Sequence, residues 1–70
     1  MFVYIENQST GEFILIDEVE NEKEANKLIA NHEITRKYNQ PFWRHWMLDG
    51  RTYTDVGSWS YLFVCSEEKI

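Results

Sequence analysis

The sequence predicts an α+β fold: a β-hairpin, a helix and a three-stranded β-meander (ββαβββ), joined in one antiparallel sheet with a single helix packed across one face. Three observations carry the prediction. Runs rich in β-branched and aromatic residues lie at both ends of the chain, separated by turn clusters. Between them, one segment repeats apolar residues at helical spacing. An Asp49-Gly50 pair sits between two aromatic runs, the strongest short-range hairpin signal in the chain.

Taken in order, Phe2-Val3-Tyr4-Ile5 favours a strand, and Asn7-Gln8-Ser9-Thr10-Gly11 is a turn cluster. Phe13 to Val19 returns as a second strand. Its Phe13, Leu15 and Val19 fall on one face by alternation, and Ile14 and Ile16 on the other. Asn21 is a good helix N-cap, with Glu22 and Glu24 suited to the positive end of the helix dipole. Ala25, Leu28, Ile29 and His32 then make one apolar stripe, so a helix over 22–33 is expected, with Leu28 at the centre of its buried face. A helix this short needs the sheet to support it.

Residues 34–40 read as a connection, since Pro41 disfavours helix at Gln40. Phe42 to Leu48 is the third expected strand. The Asp49-Gly50 turn sets a register in which Trp46 faces Tyr53 and Arg44 faces Asp55, an aromatic pair and an opposite-charge pair. Gly57-Ser58 is a second short turn, and Trp59 to Cys65 a last strand. By alternation Trp59 and Tyr61 join Trp43 on one face, while Tyr53 joins Trp46 on the other. A three-turn helix covers one face only, so the second is expected to be exposed or covered by another molecule.

Seventy residues make one domain. The net charge of −5 is unevenly spread. Residues 1–33 hold eight acids against two lysines, whereas residues 34–54 hold Arg36, Lys37, Arg44 and Arg51 against Asp49 alone. The lone Cys65 allows no intrachain disulfide, and no apolar run has the length of a membrane span, so a cytoplasmic protein without membrane association is expected.

Catalytic chemistry has little to stand on. His32, His45 and Cys65 fall on different elements without metal-ligand spacing. A Cys65–His45–Asp55 triad can be drawn, but Cys65 ends an apolar strand, where cysteine behaves as a small hydrophobe. The three glycines lie in turns and form no phosphate loop. The reading is therefore not an enzyme, with no catalytic residue, metal or cofactor.

Two dense features remain. The acidic run Asp17, Glu18, Glu20, Glu22, Glu24 is partly helix capping and solvation. It is also a negative surface able to imitate a row of phosphates and meet a basic site, as on a host nucleic-acid-binding protein. The run Phe42-Trp43-Arg44-His45-Trp46 supplies aromatics either for a small core or for binding, where Trp, Tyr and Arg dominate. The binding reading takes Trp43, Arg44, Trp46 and Tyr53 as anchors and Glu18, Glu20 and Glu22 as rim charges. A single-stranded nucleic-acid module is the alternative, with net charge against it. A structural, oligomer-forming subunit, a homodimer included, is another.

Glu24-Ala25 followed by Leu28-Ile29-Ala30 gives an EAxxLIA-like stripe on a capped helix, set between a β-hairpin and an aromatic hairpin. In that plan the chain resembles small phage-encoded proteins, including anti-CRISPR inhibitors. The resemblance covers most of the chain as architecture. It implies a protein that blocks a host protein by occupying a surface, and it carries no functional residue over. The reading that results is a small acidic protein-binding module, an inhibitor or regulator.

Overall fold

The computed structural model describes residues 1–38 and 42–70. Five antiparallel strands form one sheet: β1 (Phe2–Asn7), β2 (Phe13–Glu18), β3 (Arg44–Leu48), β4 (Arg51–Asp55) and β5 (Tyr61–Ser66), in the spatial order β2-β1-β5-β4-β3. The first and last strands of the chain therefore meet at the centre. There β1 pairs with β5 from Phe2 opposite Ser66 to Asn7 opposite Tyr61. The expected effect of Pro41 on Gln40 lies outside the described residues.

The turns follow the local chemistry. Asp49 (φ 52°) and Gly50 (φ 76°) both take positive φ, as a type I′ turn requires, and β3 and β4 pair with Trp46 opposite Tyr53 and Arg44 opposite Asp55. In the first hairpin the Asn7 side chain accepts the Ser9 and Thr10 N–H groups, and Gly11 adopts φ 76°.

Helix α1 (Glu22–Asn31) starts as expected: the Asn21 side chain accepts the Glu24 N–H at 3.0 Å. It ends at His32, whose backbone is extended (ψ 146°). A second helix, α2 (Glu33–Tyr38), follows where a plain connection was expected. His32 makes it possible: its Nδ1 accepts the Ile34 N–H at 3.1 Å, so the imidazole caps the new helix. Glu33 in the first turn and Arg36 and Lys37 in the last suit the dipole.

Both faces of the sheet are buried at their centre, by different means. On the helix side, Val3, Ile5, Phe63 and Cys65 pack with Ala25, Ile29 and Val56 in a fully buried cluster. Leu28 sits at the margin of this cluster, half-buried, so the stripe centres on Ala25 and Ile29 instead. Val19 packs on this side with Ile16, not with Phe13 and Leu15. An irregularity of the β1–β2 register between Val3 and Tyr4 resets the alternation of β2 after Leu15.

The centre of the other face covers itself, where exposure or cover by another molecule was expected, while Leu15 and Leu48 toward its edges stay exposed. Tyr4 (3% exposed), Tyr53 (8%) and Val64 are buried there with no helix above them. Phe13 meets Tyr4 edge-to-face at 6.2 Å, the Arg51 guanidinium lies over Phe13, and Trp46 stacks on Tyr53 at 5.7 Å with 6° between the rings. The Ile70 N–H donates to the Tyr4 hydroxyl at 2.7 Å. Large side chains laid across the sheet thus do part of a second helix's work.

Candidate protein-binding site

The site begins with the end of β4. Asp55 Oδ1 accepts the Gly57 N–H at 2.8 Å, and Gly57 turns the chain at φ 98°. Val56, fully buried, pins the turn to the helix-side core. The Ser58 hydroxyl oxygen then accepts the N–H groups of Ser60 and Tyr61, each at 3.2 Å, and the Ser60 carbonyl accepts the Gln8 N–H at 2.8 Å. Every neighbour of Trp59 is thereby tied down, while the indole itself projects outward, 93% exposed. The sequence placed Trp59 at the start of the last strand, on one face with Trp43 and Tyr61. The strand starts only at Tyr61, because Ser58 closes a turn of its own first.

Phe42, 83% exposed, stands just before β3. With Arg44, Asp55, Gly57, Ser58 and Trp59 it lines an open cleft of about 470 Å³. Arg44 Nη2 donates to Asp55 Oδ2 at 2.6 Å, a cross-strand ion pair at directly opposed positions. Partial burial pushes the Asp55 carboxyl up, but the Arg44 hydrogen bond, the Gly57 N–H and the guanidinium charge together outweigh this and hold it below its ordinary value. Asp55 therefore stays ionised and holds Arg44 in place. The arginine side chain is otherwise exposed, with N–H donors to spare.

Of the residues singled out from sequence, Arg44 is in this cleft and the others are not. Trp43 packs half-buried against the helix-side core, beside Lys23, Asn26 and Lys27 of α1. Trp46 and Tyr53 form the stack on the opposite face, where Tyr53 is a buried platform and Trp46 its partly exposed lid. Glu18 ends β2 at the far edge of the sheet, and Glu20 lies with Val19 and Glu24 before α1. Glu22 reaches a separate depression shared with His45, Trp46 and Met47. Phe42, Asp55 and Trp59 were missed as site residues. The signal that could have found Trp59 is its setting: a tryptophan between two serines directly after a glycine is turn composition, not strand composition.

Elsewhere the chemistry is quiet. Burial pushes the Cys65 thiol up, and the negative charge of Glu22 adds to this against a smaller opposing effect of the N-terminal amino group, so the thiol stays protonated and unreactive. Among the described residues no group of His, Cys, Asp and Glu side chains is placed to hold a metal ion, and no helix is long and apolar enough to cross a membrane. No protein family, no curated protein and no solved structure matches the chain.

Proposed function

We propose that this chain is a protein-binding module, an inhibitor or regulator that occupies a surface of another protein and anchors there through the Phe42–Trp59 cleft. One observation carries the reading. Among the described residues, the two most exposed large apolar side chains line a single cleft together with a guanidinium. Aromatic residues and arginine are what binding hot spots are made of. Trp59 springs from a turn already fixed by hydrogen bonds, so docking orders little beyond one side chain. Arg44, held by Asp55, offers its remaining donors to a carboxylate or carbonyl of the partner. Glu18, Glu20 and Glu22 stand apart from the cleft. Their part is to speed association with a partner whose surrounding surface is basic. The architectural resemblance to small phage-encoded inhibitors agrees with this reading, and a single free cysteine, Cys65, suits the cytoplasmic location proposed with it.

The second reading, single-stranded nucleic acid stacked on Phe42 and Trp59, draws on the same aromatics. It is the weaker one, because Asp55 neutralises Arg44 and the whole chain carries −5. The test is a photo-crosslinking residue placed at position 59 and, as a control, at position 14 on the far strand, each exposed to extract of the native host. A protein captured from position 59 but not from 14 supports the proposal. Capture of nucleic acid, or equal capture from both positions, refutes it.

A further inference from the structure

The two open edges of the sheet are built differently. Strand β2 is guarded: its register with β1 is interrupted, and Asp17 and Glu18 place carboxylates along its end. Strand β3 is not. Its register with β4 runs unbroken from Arg44 to Leu48, and it holds no proline and no lysine. The charge of Arg44 is answered within the chain by Asp55. Every residue of β3 is exposed, Met47 to 73%, with Trp46 and Leu48 beside it. Leu48 and Arg51 close the two-residue turn, so alternation directs the backbone N–H and C=O groups of His45 and Met47 away from β4. Among the described residues no turn, loop or cap hydrogen bond reaches those groups. An edge with apolar side chains and unpaired backbone is a template for another strand.

We infer that the strand completing this edge is β3 of a second copy of the chain, antiparallel about a two-fold axis through Met47. The sequence of β3 and its turn is complementary to itself in this register. Met47 opposes the second copy's Met47, and the two exchange N–H···O=C bonds. Trp46 opposes Leu48 of the second copy on the face away from the helices, an apolar pair formed twice by symmetry. His45 opposes Asp49 of the second copy, a base against an acid, also formed twice. A register shifted by two residues in either direction loses the His45–Asp49 pairing: one direction sets His45 against Met47 and Arg44 against Leu48, the other sets Met47 against Asp49. A strand pair this short is a small interface, so the dimer belongs to the weak, concentration-dependent class.

Arg44 opposes Gly50 of the second copy, where that copy's chain turns away. The Phe42–Trp59 cleft is therefore left open in the dimer. The two Arg44 side chains stand roughly 20 Å apart on the same face, from six residues of strand rise and one strand spacing. A partner with two suitable sites would meet both clefts at once. The pairing itself does not depend on the role proposed for the cleft.

The experiment is sedimentation of the full chain alone, from low micromolar to near-millimolar concentration, with amide hydrogen exchange at the two extremes. The expected result is an average mass that climbs from one chain to two and stops, with the Met47 amide gaining protection at high concentration. Met47→Lys should weaken the association by more than about tenfold, since it puts a charge at the centre of the pair, and should leave the circular dichroism and melting temperature unchanged. A monomer throughout, growth beyond two chains, or an association lost in Ile14→Lys but kept in Met47→Lys would each overturn the inference. No binding partner is needed, so its failure is separate from any failure of the cleft.

Discussion

Two groups of aromatic side chains differ sharply in their surroundings. Tyr4, Phe13, Tyr53 and Trp46 lie on the helix-free face and bury one another; Phe42 and Trp59 stand in water beside Arg44. The same residue types are packed away in one place and presented to solvent in the other. What separates them is the backbone beneath. The first set alternates along paired strands, where cross-strand neighbours are within reach. The second set stands outside the strands, where among the described residues no cross-strand partner lies opposite.

Changes in the covered regions should therefore cost folding, and the largest should come from the core. Phe63, fully buried between sheet and helix and against the His32 ring, should cost about 3–5 kcal/mol on Phe63→Ala, read by denaturant unfolding. A loss under about 1 kcal/mol would mean the helix-side cluster is loosely packed.

The next effect is conformational. An added Cβ at Gly50 would meet nothing within 4 Å, so Gly50→Ala isolates the backbone cost of φ 76°. That cost should be about 1–2 kcal/mol. An unchanged melting temperature would show that the turn relaxes away from type I′, and the Trp46–Tyr53 stack should then weaken with it.

A smaller effect sharpens the account of the cleft. The carboxyl of Asp55 is depressed in the folded chain, so its pairing with Arg44 stabilises the fold above the ordinary carboxylate pKa of about 4 and is lost as pH falls through the folded value. Asp55→Asn should remove stability at neutral pH and flatten the acid limb of a stability profile below about pH 4. The exposed side of the pair makes the effect modest and salt-sensitive. An acid limb of identical slope in the variant would show that Asp55 is not held by Arg44 in solution.

Much of the fold was readable because its signals are local. Asp49-Gly50 specified a turn and, through it, the facing of Trp46 with Tyr53 and Arg44 with Asp55. Asn21 specified a cap, and Ala25 and Ile29 a buried stripe. The rest depends on partners distant in sequence. Nothing near Phe2 says that it will lie opposite Ser66, and nothing in Phe13–Val19 shows where its register with β1 is interrupted. Helix α2 is six residues long and depends on the His32 imidazole, a capping group outside the usual set of short polar residues. The candidate site was half legible: Arg44 stood out through its charge and neighbours. Trp59 was hidden because periodicity carried the last strand two residues too far toward the N-terminus.

The claim at the centre of this account is that Trp59 serves recognition and not folding. Unfolding and partner affinity measured side by side on Trp59→Ala test it directly. The expected result is an unfolding free energy within about 0.5 kcal/mol of the parent, as for an exposed side chain, together with a loss of at least about 2 kcal/mol in partner binding. A variant that binds its partner as tightly as the parent, or one that unfolds far more readily, would contradict it.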